Sequence, residues 1–371
     1  MSTKIVIVAA TQGDFGGIEA FVMTVAKFLD DSDGYDVRVV FKRVKGCRLD
    51  KLKNKLGSQW ESQVHFVERN SKELRDHLRW SDLLHVQNLC PDAIVPAFCL
   101  RRPILATIHN YRRSGLTPHR MVWSACNTLV GRRFYNSQFV WKTWEPKRPK
   151  PNSECVPTIC SLSSPFVPYD RRQGFLFLGR WIPNKGIEDL IEAYARARID
   201  RDAWPLTILG DGPLRESILG RIATLGLQAS VRTPGFVSGE EKERQIASCK
   251  WLVAAANTRE DMGLTPIEAR AARTGVIVSR DGGLTESGGP GALITSPGDV
   301  QELAGRLEQA ASMEAEEYER RCVRGFESLS EYLKPITHYT QTYQRLLSPN
   351  SSRHAASEPI GRGGAVASRC D

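Results

Sequence analysis

Residues 254–272 read AAANTREDMGLTPIEARAA, and the organisation of the whole chain can be traced outward from them. An apolar strand runs up to Ala255, a polar loop crosses, and a helix is expected to start at Thr265. Glu260 stands in the loop, at the strand's C-terminal mouth. Glu268, eight positions on, stands in the first turn of that helix. The first amides of a helix lack intrahelical partners and lie at the positive end of its dipole, so those of Gly263, Leu264 and Thr265 would face any anion held there. Thr265-Pro266-Ile267-Glu268 also fits a capping box, with Thr265 as N-cap, Pro266 at N1 and Glu268 at N3. Glu268 is therefore either a cap or a ligand-binding carboxylate, whereas Glu260 has no such structural duty.

Strand, loop and helix make one βα unit, and the pattern repeats on both sides. Short apolar runs alternate with stretches of helical period, which indicates an α/β fold with parallel sheets. Strands are expected at 4–10, 36–41, 64–67, 83–87, 104–109 and 133–136, with a helix over 18–29; together they make one doubly wound domain, residues 1–156. A stretch rich in Pro and Ser, 157–172, reads as a linker. Strands at 174–179, 205–209, 230–233, 250–255 and 275–279 build a second domain, 173–329. A C-terminal helix over 330–347 and a tail, 348–371, of disordered composition complete the chain. A length of 371 residues also favours two cores over one. In open parallel sheets ligands bind beyond the C-terminal ends of the strands, so two such domains face each other across a cleft lined by post-strand loops.

Those loops hold the remaining candidates. After GFLFLG come Arg180-Trp-Ile-Pro-Asn-Lys185-Gly186. Arg180 and Lys185 are either two solvated cations or a diphosphate clamp, the guanidinium suited to bidentate contact and the ammonium acting as a point charge. Gly210 and Asp211 form a tight turn after the strand at 205–209. Gly235 and Phe236, in TPGFV, would set backbone against a flat base, and Asp281-Gly282-Gly283 is a Gly-rich turn. In the N-terminal half Gly16 and Gly17 open the first helix without the GxGxxG fingerprint of a dinucleotide site. His109 ends a strand, where it either meets substrate or is simply buried and hydrogen-bonded.

Composition narrows the class. Charged residues make up 25% and apolar residues 41%, ordinary for a globular protein. No window holds the roughly 18 apolar residues a spanning helix requires, and Met-Ser-Thr-Lys leads straight into a strand, so a cytoplasmic location is expected. Nine scattered cysteines, without a CxxC pair, read as reduced thiols. Asp31-Ser-Asp33 and Asp200-Arg-Asp202 sit in polar loops away from any strand end, and no zinc-type cluster exists, so no metal site is assigned. The net charge of +9 is uneven: residues 101–150 carry eleven Lys/Arg against one acid, Glu145, with Trp123, Trp141 and Trp144 interleaved. Such density suits either a solvated face or docking on an anionic membrane or phosphate-bearing ligand; without an accompanying motif it does not indicate nucleic acid.

Taken in order, GRWIPNKGIEDLIEAY, ILGDGP, PGFV and the E-x7-E segment REDMGLTPIEA resemble the retaining family-4 glycosyltransferases of the GT-B fold. The resemblance extends from Gly16-Gly17 to the last helix. It implies two facing Rossmann-like domains, an N-terminal acceptor domain and a C-terminal donor domain, with the final helix packing back toward the first. It further implies that Arg180 and Lys185 hold the donor diphosphate without a metal cofactor. Glu268 would bind the donor ribose, Glu260 the transferred sugar, and Gly263, Leu264 and Thr265 the phosphates. Gly16 and Gly17 would close on the diphosphate or acceptor, and His109 would lie near the sugar. Met262 departs from the Phe usual before Gly263, though its flexible side chain can fill the same apolar space.

The implied activity is hexosyl transfer from a UDP- or GDP-linked sugar to a glycan, carried on a lipid, in polysaccharide or glycoconjugate biosynthesis. The basic N-terminal domain would rest peripherally on the inner membrane face. Two readings from other classes remain open on the same architecture: a sugar-nucleotide epimerase, and a non-catalytic nucleotide-sugar-binding protein. A phosphorylase would require a pyridoxal-phosphate lysine site and a far longer chain.

Overall fold

The computed structural model describes residues 2–44, 46–115, 117–158, 162 and 165–348. Seven strands form the first sheet: β1 (Thr3–Thr11), β2 (Tyr35–Arg43), β3 (Val64–Val67), β4 (Leu83–Gln87), β5 (Ile104–Ile108), β6 (Arg132–Tyr135) and β7 (Ser153–Cys155). Their order is β3-β2-β1-β4-β5-β6-β7, every pair parallel. Six more form the second: β8 (Phe175–Leu178), β9 (Leu206–Leu209), β10 (Val231–Gly235), β11 (Trp251–Ala254), β12 (Gly275–Ser279) and β13 (Leu293–Thr295). They lie in the order β10-β9-β8-β11-β12-β13, again all parallel.

Both sheets are buried on two faces, which explains why their strands read as unbroken apolar runs. Side chains alternate across a strand with period two. Ile5, Ile7 and Ala9 of β1 accordingly enter one apolar cluster, while Val6 and Val8 enter another on the opposite face. Phe175 and Phe177 of β8 join one core and Leu176 the other. The first sheet is covered by α1 (Gly17–Asp30), α2 (Asp50–Leu56), α3 (Lys72–Trp80), α4 (Pro91–Cys99), α5 (Pro118–Leu129) and α6 (Gln138–Trp144). The second is covered by α7 (Ile187–Arg196), α8 (Arg215–Thr224), α9 (Glu240–Ser248), α10 (Leu264–Ala271), α11 (Leu284–Gly288), α12 (Val300–Ala311) and α13 (Ala315–Glu327).

The strand order reverses at one place in each sheet, between β1 and β4 and between β8 and β11. At such switch points neighbouring strands send their following helices to opposite faces, opening a crevice beyond the strand ends. The loops after β1 and β4, and those after β8 and β11, are thereby selected by topology alone.

The end of the chain differs from expectation. The single helix expected over 330–347 is two, α14 (Leu329–Tyr332) and α15 (Thr337–Leu347). Pro335 lies between them; it has no N–H to donate and its ring clashes with the preceding turn, so a continuous helix cannot form there. α15 crosses to the first domain, where Tyr339 and Tyr343 are buried with Ile5, Phe21 and Phe134. His338 Nε2 lies 3.1 Å from Glu154 on β7. The three-residue strands β7 and β13 were not anticipated; each forms the edge of its sheet. The tail expected from 348 lies, beyond Ser348, outside the described residues, as do 159–161, 163 and 164 of the linker. Cysteines 47, 90, 99, 126, 155, 249 and 322 are all free thiols, and no helix among the described residues is long and apolar enough to cross a membrane.

Candidate functional site

The loops after β8 and β11 are bound to each other at their bases. After β8 the chain makes a 3-10 turn over Pro183–Lys185 and passes through Gly186 at φ +66° into α7. A Cβ on Gly186 would stand 1.8 Å from the carbonyl oxygen of Ala255, so this approach is open only to glycine. Asn257 N–H donates to the Asn184 carbonyl at 3.2 Å, and Asn257 Nδ2 to Asp189 at 2.7 Å. This stitching brings Lys185 Nζ to 2.6 Å from Glu260 Oε2. The two side chains remain 24% and 17% exposed, so a ligand can reach both. Arg180, at the mouth of β8, is exposed and forms no ion pair or side-chain hydrogen bond among the described residues.

Glu260 is held from behind. Its N–H donates to Asp281 Oδ2 at 2.6 Å, and its carbonyl accepts from Gly283 N–H at 2.8 Å. Gly282, at φ +51°, passes so close that a Cβ would lie 1.9 Å from the Glu260 carbonyl oxygen. The turn at 281–283 is thus the platform of the Glu260 loop, a role its sequence did not reveal.

α10 corrects the capping-box expectation. Its N-cap is Gly263, at φ +84° and without a side-chain cap, two residues before Thr265, and the helix begins at Leu264. Glu268 consequently lies in the second turn and caps nothing. Its Oε1 accepts from Lys242 Nζ of α9 at 2.6 Å. Burial pushes the Glu268 carboxyl above the usual range against the opposing pull of Lys242. The amides of Gly263, Leu264 and Thr265 make no hydrogen bond among the described residues, leaving three donors at the positive end of the helix. Met262 is buried against Ile267 and Leu329.

Gly210 and Gly235 join the next two loops: Gly210 N–H donates to the Gly235 carbonyl at 2.8 Å. Asp211 accepts from Gly212 N–H and pairs with Arg215 at 3.3 Å, so its carboxylate serves its own turn. Phe236 is 73% exposed beside them, an aromatic face with no partner ring among the described residues.

Near the strand mouths of β1, β4 and β5 the first domain contributes neutral groups. Gly16 N–H donates to Glu19 Oε2 at 3.1 Å, and Glu19 Oε1 accepts from Thr11 at 2.9 Å; this anchors the start of α1. At Gly17 a Cβ would meet open space. His109 is buried, and its Nε2–H donates to Gln87 Oε1 at 2.8 Å. Gln87 Nε2 in turn donates to His85 Nε2 at 3.1 Å, and the Nδ1–H of His85 reaches the Tyr343 hydroxyl at 2.8 Å. A buried hydrogen-bonded chain therefore runs from α15 to His109. Desolvation lowers both imidazoles to about 3, so both are neutral at physiological pH. Sequence reading singled out His109 but not Gln87, which carries no signal beyond its place on β4.

The two domains meet at Asp261 and Glu286. Asp261 Oδ1 accepts from Tyr111 N–H at 2.7 Å, and its carbonyl accepts from Ser137 Oγ at 2.6 Å. Burial raises its carboxyl to about 6, partly opposed by the Tyr111 hydrogen bond. Glu286 of α11 accepts from both Gln138 and Phe139 N–H at 2.7 Å, capping α6 from across the cleft. Among the described residues no cluster of three His, Cys, Asp or Glu has metal-holding geometry.

Residues 164–325 match the family model Glycosyl transferases group 1. An uncharacterized glycosyltransferase of Methanocaldococcus jannaschii is 35% identical over 117 residues, 32% of this chain and 30% of that protein. The MMP α-(1→4)-mannosyltransferase of Mycolicibacterium hassiacum is 33% identical over 132 residues, 34% of this chain and 31% of its own. Each match thus spans about a third of the relative's length. HepE of Anabaena, solved in complex with UDP, superposes with a TM-score of 0.76 at 18% identity, covering 93% of this chain and 99% of that one. HepE has also been solved with UDP-glucose, a structure that superposes with a TM-score of 0.71. Residues 164–325 form a Glycosyl transferases group 1 domain, set within a two-domain GT-B fold.

Proposed function

We propose that the chain is a retaining hexosyltransferase, moving a sugar from a UDP- or GDP-linked donor to a glycan acceptor carried on a lipid, in polysaccharide or glycoconjugate biosynthesis. The observation that carries this reading is the Lys185–Glu260 pair at the switch point of the second sheet, flanked by exposed Arg180 and the free amides of α10. The donor complexes of HepE and the mannosyltransferase and other glycosyltransferase relatives support a nucleotide-sugar donor.

The roles follow from charge. Cleavage of the anomeric C–O bond sends the electron pair to the departing phosphate oxygen and leaves positive charge on the sugar ring. Arg180, Lys185 and the amides of Gly263, Leu264 and Thr265 stabilise the first; Glu260 stabilises the second. These cations do the work a divalent ion does elsewhere, and no metal or cofactor is required in the proposal. Glu268 would take the ribose hydroxyls, Phe236 with Gly235 the base, Gly210 the adjoining turn, and Gly16 and Gly17 would close on the diphosphate. His109, neutral and held by Gln87, would position a sugar hydroxyl rather than exchange a proton.

The lipid carrier is argued from α4 and α5, which pack together and expose Val95, Phe98, Met121 and Val122 beside Arg101 and Arg120. Exposed apolar side chains together with nearby cations suit the inner face of an anionic membrane, with the protein otherwise cytoplasmic. A thermal-shift screen of UDP-, GDP- and dTDP-sugars, followed by transfer to lipid-linked glycans with the product anomer read by NMR, tests the reading. Stabilisation by one sugar nucleotide and retention at the anomeric carbon support it. Isomerisation of the donor without acceptor would instead indicate an epimerase, and binding without turnover a carrier protein.

A further inference from the structure

A cavity of about 580 Å³ opens between the domains, beside the proposed transfer site. The loop after β5 supplies Tyr111, Arg112 and Arg113, α6 supplies Phe139 and Lys142, and the second domain supplies Arg259. The wall thus carries Arg112, Arg113, Lys142 and Arg259 and no carboxylate.

These cations are not compensated. Among the described residues none of them forms an ion pair; Glu260, next to Arg259, is taken by Lys185, and three further carboxylates accept from neutral donors. Asp261 accepts from Tyr111 N–H, and Glu286 from the amides of Gln138 and Phe139. Glu145 accepts from Tyr135, Trp141, Ser153 and Lys150 N–H. Arg113 and Lys142 influence Asp261 and Glu286 only from beyond ion-pair distance. Two of the guanidiniums are instead seated on aromatic faces, Arg112 at 5.8 Å from the Trp144 ring centre and Arg259 at 5.6 Å from that of Tyr111. Arg259 holds this position with φ +44°, a region non-glycine residues rarely occupy, immediately before Glu260. Gathering like charges in a concave wall raises the local potential and disfavours the empty state, a balance that an anion reverses.

We propose that this cavity binds a phosphate group of the acceptor, with Arg112, Arg113, Lys142 and Arg259 as its ligands, so that the acceptor hydroxyl is presented beside Glu260. The proposal rests on the glycosyl-transfer reading for the word acceptor, but not for phosphate binding itself. The phosphate arrives either on a polyprenyl carrier or on a soluble sugar phosphate. Phosphate recognition by arginines that are already oriented needs little rearrangement.

The test is calorimetric titration of the full chain with inorganic pyrophosphate, performed both with UDP saturating the donor site and with the Arg180→Ala/Lys185→Ala chain. Binding is expected in both settings. Arg112→Ala/Arg113→Ala/Lys142→Ala should weaken it by about tenfold or more while changing UDP affinity by less than about twofold. Displacement of pyrophosphate by a polyprenyl pyrophosphate in detergent identifies a lipid source; displacement by glucose 6-phosphate identifies a soluble one. Absence of pyrophosphate binding, undiminished binding in the triple variant, or failure of both phosphorylated compounds to displace it overturns the proposal. Failure of the donor reading alone would appear differently, as pyrophosphate binding retained with no response to any sugar nucleotide.

Discussion

The two sides of the cleft between the domains use different electrostatics. Beyond β8 and β11 the carboxylates are paired with cations: Glu260 with Lys185, and Glu268 with Lys242 of α9. On the first domain's side of the cleft, His85 on β4 and His109 after β5 are buried and neutral, and the cations of the loop after β5 form no ion pair among the described residues. A paired cation is held in place and can be released to a phosphate. A neutral imidazole in a fixed hydrogen-bond chain can only orient. Under the proposed function, the contrast gives charge stabilisation to the second domain and positioning to the first.

The sharpest way to break this division is to remove its cations. Lys185→Ala and Arg180→Ala should each lower turnover by roughly 10²–10³, as removal of a preorganised charge-stabilising donor does elsewhere. A radiolabelled-sugar transfer assay reads the effect, and an unchanged rate in the double variant would remove the assignment. Next in size are the supports. Gly282→Ala forces a Cβ against the Glu260 carbonyl and should destabilise the domain by about 1–3 kcal/mol in denaturant melts. Gln87→Leu leaves the Nε2–H of His109 without its acceptor in a buried setting and should cost about 1–3 kcal/mol, with a smaller loss for Tyr343→Phe at the far end of the chain.

The remaining effects concern pH, and they separate the two domains by sign. His85 and His109 fall from 6.5 to about 3 on folding, so the unfolded chain takes up protons that the folded one refuses. Their contribution to stability is therefore lost as pH falls from about 6.5 toward 3. Asp261 rises from 3.8 to about 6, so the folded chain keeps a proton the unfolded one has released, and its contribution is lost as pH rises through that window. Asp261→Asn, which keeps an oxygen for Tyr111 N–H, should be at least as stable as the parent at pH 7 and should steepen the acid-side loss in a series of melts.

Much of the fold was legible because buried parallel strands advertise themselves as apolar runs, and their order with the intervening helices dictates where loops emerge. Arg180, Lys185, Glu260 and the amides of α10 could be named for that reason. What stayed hidden were relations between distant segments. Nothing local to Glu268 reveals Lys242, which reaches it from another helix; a capping box is the nearer reading, but Gly263 at φ +84° caps the helix two residues before Thr265. The Glu286 cap on α6 and the Asp261 bridge to Tyr111 join residues about 150 positions apart. Pro335, by contrast, marks the break in the last helix within the sequence itself. Short edge strands such as β7 and β13, three residues each, carry too little periodicity to detect.

Calorimetric titration with UDP of the parent chain, Lys185→Ala and Glu260→Gln tests the central claim most directly. If Lys185 is a phosphate ligand kept in place by Glu260, losing the lysine weakens UDP binding, whereas neutralising the glutamate leaves it unchanged or strengthens it while sugar transfer falls. Equal loss of UDP affinity in both variants, or no loss in either, would contradict the account.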